Sequence, residues 1–470
     1  MIAIVCAALT AVGFFFSIGL GEQWWLAWLA PIPVLWFAFG DTKGWQALLA
    51  AWAGYALGSA NVLEAYAGIL PTVVLVLGLT VPSLLFAIAV MGGRLVARTV
   101  TPLAGVLAFA ALWTAFDFLI SFNSGGGSVS TPATAEVFMP VLAQSASLVG
   151  VWGITFLLGL VSAGLALSLR RRTILPAAVA LAVFAVNAAF GYARMSAPTE
   201  TLRVALIDTD AMQSAAESNN EKDTADTVDA YVRAIGALKG RGIKLIVLPE
   251  KLAIAQAAWQ PALKAKLSGA AHDSGATLVA GFDARDAHGS YNVSWAFSPI
   301  GGEPGIYTKR KLVPGLETIY TIGPGPLALA NGIGLEICKD MDFQAMIRSD
   351  MAATRPALLA VPAWDFVADG SSHARVAILR SIENGVPMAR SARNGLLTLN
   401  DRYGRVMAMA ATGGPDFKTL VGDLPLDRRG GNTLYDRIGD MFGWLCLVIG
   451  LALSGLGFAR RRKSARAALS

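Results

Sequence analysis

Cysteine and histidine are scarce in this chain, with three of each in 470 residues. The cysteines, at positions 6, 338 and 446, form no CxxC pair, and His272, His288 and His373 are equally scattered. This spacing excludes a disulfide framework and offers no zinc site. Charge is scarce too: 15% of residues are charged against 55% hydrophobic, and the mean hydropathy is +0.55. A chain this long and this apolar is neither an ordinary soluble protein nor a single domain. The net charge of +6 sits in short basic clusters beside apolar spans, the pattern of cytoplasmic membrane loops, which argues against nucleic acid as a partner. Also missing are an internal repeat and a long low-complexity tract. The apolar N-terminus has no basic n-region and no small-residue cleavage site before Gly21, so it reads as a retained span.

Long apolar runs are what the chain does have. Stretches near the ~20 residues needed to cross a bilayer fall at about 2–20, 24–40, 45–62, 69–92, 103–122, 146–168, 174–192 and 441–458. Three basic clusters set the orientation: Arg94 with Arg98; Arg170, Arg171 and Arg172; and Arg460, Arg461, Arg462, Lys463 and Arg466. With eight spans all three fall on one side, the cytoplasmic one, and only Arg194 opposes them. The expected organisation is an N-terminal membrane domain over 1–196, an extracytoplasmic insertion over 197–435, and a last span with a basic tail over 436–470. Glu64 and Asp117 are ionisable groups beside or within apolar segments, where a functional role is the default; solvation at an outer end is the plainer reading for Glu64. The segment "NSGGGSVSTPATAEVF" (123–138) reads as an outward-facing flexible loop.

The insertion has another texture. "TLRVALIDTDA", "GIKLIVLPE", "ATLVAGFD", "NVSWAFSP", "GIGLEIC" and "ALLAVPAWDF" read as strands between helical stretches such as "DTVDAYVRAIGALKG" and "HARVAILRSIENG". That alternation predicts a layered α/β domain, and about 240 residues can bury a substantial core. Glu250 follows "LIVLP", Lys309 stands in "GIYTKRKLVPGLE", and Cys338 follows "GIGLEI". Each has an ordinary reading alone: a solvated carboxylate, a surface lysine, a core thiol.

Together they resemble the nitrilase superfamily, whose Glu, Lys and Cys come in this order at strand ends. The local words match: "LPE", "YTKRKLVPGLE" for Y-x-K-x-x-L-V-P…E, and "ICKD"; "RVAILRSIENGVPMARSARNG" and "YGRVMA" are similar to later family segments. In the membrane half, "PVLAQSASLVGVWGITFLLGLV" is similar to the sixth-span region of the apolipoprotein N-acyltransferases, which join seven spans, a nitrilase domain and a last span. This chain departs from that family at Lys339-Asp340 (Tyr-Glu there), at "SVSTPA" (G-F-P-W there) and at "PGLE" (PFGE there), changes that touch substrate contacts more than the triad.

The resemblance implies a polytopic helical membrane domain of about eight spans with an extracytoplasmic nitrilase-like αββα sandwich, in a bacterial inner membrane. It also implies a phospholipid acyl donor, a diacylglyceryl lipoprotein acceptor, and no cofactor or metal. Glu250, Lys309 and Cys338 would be the catalytic triad. A thiol with a pKa of ~8.5 is only slightly ionised at neutral pH, so it needs a base and a nearby cation; Glu250 and Lys309 supply them, and Lys309 can also stabilise an oxyanion. Glu317 would orient the lysine or the incoming amine, against the alternative of a surface charge. Trp364 would contact substrate, against that of a core aromatic, and Asp340 would support the site. Two rivals share these motifs: a membrane-anchored amidase and a non-catalytic nitrilase-like scaffold.

Overall fold

A computed structural model of the protein describes residues 1–122, 125–195, 200–426 and 432–467. The chain divides into two compact units, Met1–Met195 with Arg437–Ser470, and Ser196–Asp436.

The first unit is helical. Among its described residues, five helices are long and apolar enough to cross a membrane: Thr72–Thr99, Pro102–Ile120, Val151–Arg171, Leu175–Arg194 and Met441–Ala467. The other three expected spans are shorter helices. Ile2–Ser17 has 16 residues and Gly44–Gly58 has 15, about 24 Å at ~1.5 Å per residue against a hydrocarbon core of ~30 Å. Segment 24–40 is broken into Trp24–Leu29 and Ile32–Phe39 around Ala30 and Pro31, because proline cannot donate to the preceding turn. Ile2–Ser17 and Gly44–Gly58 pack closely through small residues: a Cβ at Gly54 would meet Thr10 Cγ2 at 2.9 Å. Thr72–Thr99 leaves Val73, Val76, Leu77 and Leu84 exposed, an apolar face suited to lipid.

The basic clusters end helices. Arg94 donates to the carbonyls of Ala38 and Gly40, which close the helix Ile32–Phe39. Arg171 reaches the Ala97 carbonyl at 2.9 Å, and Arg170 lies over the Trp36 ring. The first two clusters therefore meet at one end of this unit. Asp117 is buried and accepts hydrogen bonds from Thr131 and Thr155, 2.7 Å each. The expected flexible loop is only partly that. Residues 125–130 form turns, but 131–137 are buried, with Pro132–Glu136 a 3₁₀ turn held through the Asp117–Thr131 bond; Asn123 and Ser124 lie outside the described residues, as does the Glu64 side chain.

The second unit contains two sheets. Its strands are β1 (Thr201–Asp208), β2 (Leu245–Val247), β3 (Ile254–Gln256), β4 (Thr277–Asp286), β5 (Gly289–Phe297), β6 (Gly305–Thr308), β7 (Leu327–Ala328), β8 (Ile333–Leu335), β9 (Leu358–Trp364), β10 (Met388–Arg393), β11 (Leu396–Asn400), β12 (Val406–Ala411) and β13 (Lys418–Pro425). One sheet runs β13-β1-β2-β4-β5-β6, with β3 beside β4; the other runs β12-β11-β10-β9-β8-β7. β1, β2 and β4 are parallel, as are β8, β9 and β10. The two-residue period decides the layers. Val204 and Leu206 turn toward the second sheet, packing with Leu335, Leu358 and Ala360. Ala205 and Ile207 turn outward, beneath Tyr231 and Ile235 of Glu221–Gly236 and Leu263 and Leu267 of Gln260–Ser274. Gly370–Asn384 lies against β10 and β11 on the second sheet, with Gln344–Thr354 beside it. The result is the αββα order that the resemblance implied.

Candidate active site

Three strand ends converge. Glu250 stands three residues past β2, Lys309 directly follows β6, and Cys338 stands three residues past β8. The loop after β2 passes so close to β4 that a Cβ at Gly281 would lie 2.6 Å from both Glu250 Cα and the Pro249 carbonyl. The backbone N–H of Lys309 donates to the Asn292 carbonyl of β5, 2.9 Å, and fixes where its side chain starts.

The Lys309 ammonium is buried between two carboxylates, 2.8 Å from Glu250 Oε1 and 2.9 Å from Glu317 Oε2. Asn292 Nδ2 bridges the same pair, donating to Glu250 at 2.6 Å and Glu317 at 2.8 Å. Lys251 adds a second ammonium, 3.2 Å from Glu317, and the Val313 N–H donates to Glu317 at 2.8 Å. Two carboxylates thus face two ammonium groups. Burial alone would drive Lys309 toward its neutral form, but Glu250 and Glu317 outweigh it and hold the ammonium well above its ordinary value. Burial likewise raises Glu317, yet Lys309 and Lys251 bring it down to about 2.

Cys338 opens a 3₁₀ turn, Cys338–Asp342, with a φ of 43°, a left-handed conformation costly for a residue with a Cβ. Lys251, across the site, has a φ of 48°. The Cys338 thiol is partly exposed and points toward the Trp364 carbonyl, 3.5 Å away. Burial pushes the thiol well above its usual value and Glu250 adds to this, while Lys309 and Arg390 oppose it. The resting thiol is therefore neutral, with the Glu250 carboxyl group beside it.

Of the remaining expected residues, Glu317 belongs to the lysine cage. Asp340 is buried beneath the turn and accepts N–H bonds from Ile337, Arg310 and Lys311 at 3.1, 3.2 and 2.8 Å, tying the cysteine turn to the lysine loop. Trp364 ends β9 partly exposed, its ring 5.3 Å from Lys251 Nζ and 4.8 Å from the Arg393 guanidinium carbon. Sequence reasoning did not single out Asn292, Lys251 or the Asp365–Arg390 pair, 2.5 and 3.0 Å, which anchors the loop after β9. Asn292 carries a signal in retrospect, a polar residue inside a strand with both faces buried. No cluster of three metal-ligating side chains occurs among the described residues.

A buried Glu–Lys–Glu cage beside a cysteine on a strained turn, within an αββα sandwich, belongs to a carbon-nitrogen hydrolase domain. Residues 203–426 match the family described as carbon-nitrogen hydrolase, and residues 7–164 match the apolipoprotein N-acyltransferase N-terminal domain. Together the two matches, and relatives named apolipoprotein N-acyltransferase, cover most of the chain. It is 25% identical to a protein named apolipoprotein N-acyltransferase from Geobacter metallireducens, covering 93% of this chain and 91% of that one. The proteins of the same name from Pseudomonas syringae pv. tomato and Agrobacterium fabrum are each 27% identical, covering 82% and 86% of this chain and 84% and 83% of theirs. Among solved structures, an amidase from Nesterenkonia sp. is similar at 21% identity with a TM-score of 0.42, covering 51% of this chain and 94% of that one.

Proposed function

We propose that the protein transfers an acyl chain from a phospholipid to the N-terminal amine of S-diacylglyceryl-cysteine lipoproteins. The observation that carries this reading is the pairing of both family matches on one chain. A hydrolytic amidase would use the same cage, and the match over residues 7–164 is what separates the two.

The residues take the following roles. Glu250 accepts the Cys338 proton as Sγ attacks the ester carbonyl of the donor. Lys309 and the turn after Cys338 receive the oxyanion. The carbon–oxygen bond breaks, the lysophospholipid leaves with the proton, and a thioester remains on Cys338. The α-amine of the acceptor then attacks the thioester, Glu250 takes its proton, and the amide forms as the thiol is restored. Glu317 and Asn292 hold Lys309 in place throughout. No metal or redox group is called on. Lipid-anchored substrates account for the fusion of a membrane unit, residues 1–196 and 436–470, with a catalytic domain over 197–435.

Eight spans, with the catalytic domain on the extracytoplasmic side of a bacterial inner membrane, complete the reading. The gathering of Arg94, Arg170 and Arg171 at one end of the helical unit supports it. Reporter fusions at Gly240 and at Ser470 should report opposite compartments; a cytoplasmic signal from Gly240 ends this topology. Mass spectrometry of lipoprotein N-termini from a strain lacking the protein tests the activity: diacylated termini should replace triacylated ones, and unchanged triacylation would refute it.

A further inference from the structure

Behind the turn that carries Cys338 lies a buried acid cluster that the mechanism above does not use. The Tyr307 hydroxyl is 2.7 Å from Glu336 Oε2 and 2.8 Å from Asp340 Oδ2, and it receives the Arg310 Nε–H at 3.2 Å. Tyr307, Glu336 and Asp340 are all buried. A hydroxyl has one proton to donate and two lone pairs to offer. It can close one of the two short oxygen contacts as donor, and the other must be closed by a proton on the carboxyl group itself.

The surroundings decide which carboxyl holds that proton. Burial raises Asp340 to about 6, but Lys309 and the three backbone N–H bonds it accepts favour its carboxylate and hold it below Glu336. Glu336 has Tyr307 and a long 3.4 Å contact to Arg310, whose guanidinium is already committed to Asp350 at 3.0 Å. Its neighbouring strands β7 and β9 bring no charged side chain. The charged and titratable groups that do face it are Asp340 on the turn, Asp350 on Gln344–Thr354, and Arg310 and Tyr307 at the end of β6. Around Glu336 itself, Arg310 is set against two further acids, Asp340 and Asp350, so positive charge is short there.

We propose that Glu336 is a neutral acid that donates to Tyr307, which in turn donates to Asp340, and that this chain of hydrogen bonds positions the Cys338 turn against the Lys309 strand. The positioning role rests on the assignment of Cys338 and Lys309 above; the proton itself does not. Burial raises Glu336 well above the usual carboxylate range, with Asp340 and Asp350 adding to it and Arg310 opposing. Because its folded value is raised, its contribution is intact below its unfolded value and is lost as pH rises through the folded one. There the proton leaves, two carboxylates confront each other across one hydroxyl, and Asp340 loses its hold on the turn.

The full-length protein and its Glu336→Gln variant, whose amide can also donate to Tyr307, test this. An infrared difference spectrum at neutral pH, wild type minus variant, should contain the carbonyl band of a protonated carboxylic acid, a readout independent of turnover. The variant should fold, keep neutral-pH activity within about three-fold, and retain more activity than wild type at alkaline pH, whereas Glu336→Ala, leaving Tyr307 without its partner, should lose about ten-fold or more. Carboxylate bands in place of the acid band would overturn the proposal. So would a Glu336→Gln protein that is as impaired as Glu336→Ala or fails to fold, since it removes only a charge that the proposal says is absent.

Discussion

Glu317→Gln removes one of the two charges that hold the Lys309 ammonium and leaves almost the same volume. A carboxyl held at about 2 instead of 4.5 contributes about 3 kcal/mol at ~1.4 kcal/mol per pH unit. The figure agrees with the ~3–5 kcal/mol lost when one partner of a buried pair is removed. It falls at the low end because Glu250 stays 2.8 Å from Lys309. For a unit spanning Ser196–Asp436, roughly 2–4 °C per kcal/mol gives a drop of about 6–12 °C in Tm. Acyl transfer from phospholipid to a diacylglyceryl lipopeptide, followed by mass spectrometry, should fall about 100-fold, the scale set by a ~1 Å misplacement of a reacting group. The pH dependence has a definite sign. The folded value is depressed, so this stability is present above 4.5 and lost as pH falls through about 2; the variant should lack that acid-side loss. A Glu317→Gln protein with wild-type Tm and activity would refute the cage as described.

The neighbouring lysines should behave differently. Lys309→Arg keeps the charge, but a guanidinium does not fit between Glu250 and Glu317 at 1% exposure, so transfer should fall about 100-fold, whereas Lys311→Arg should stay near wild type; the reverse order would mean that the wrong lysine has been assigned. Gly281→Ala places a methyl 2.6 Å from Glu250 Cα and the Pro249 carbonyl, so thermal denaturation should show a loss of about 1–3 kcal/mol, together with reduced transfer. Unchanged activity in Gly281→Ala would show that the Glu250 loop has more room than these distances allow.

The strands of the α/β unit were legible because short buried runs such as "KLIVLP" and "ALLAVPAW" stand between well-marked helices. The words around Glu250, Lys309 and Cys338 were legible because each sits at a strand end. Side chains supplied from a distant part of the chain were not. Asn292 joins Glu250 and Glu317 only because β5 pairs with β4 and β6, and no local pattern gives that register. Lys251 was hidden by its own backbone: a left-handed φ next to Glu250 turns it toward Glu317 and not away. Glu336 lies within "GIGLEIC" and drew no notice there, because its partner Tyr307 arrives from β6. In the N-terminal half and the C-terminal helix, five of the eight apolar segments form helices long enough to cross a membrane among the described residues, and hydropathy did not give the lengths of the others, which Ala30-Pro31 and the turn through Gly40 and Asp41 cut short.

Acylation of a single thiol tests the central claim most directly. Cys6 and Cys446 lie buried in the helical unit, which leaves Cys338 as the one cysteine of the α/β unit. Incubated with a phospholipid donor and no acceptor, the protein should carry one acyl group on Cys338, released by hydroxylamine as a thioester is, and should discharge it onto an added diacylglyceryl lipopeptide. A well-folded Cys338→Ala protein should carry no acyl group and transfer none; if it transfers acyl chains at the wild-type rate, Cys338 is a packing residue and the mechanism fails.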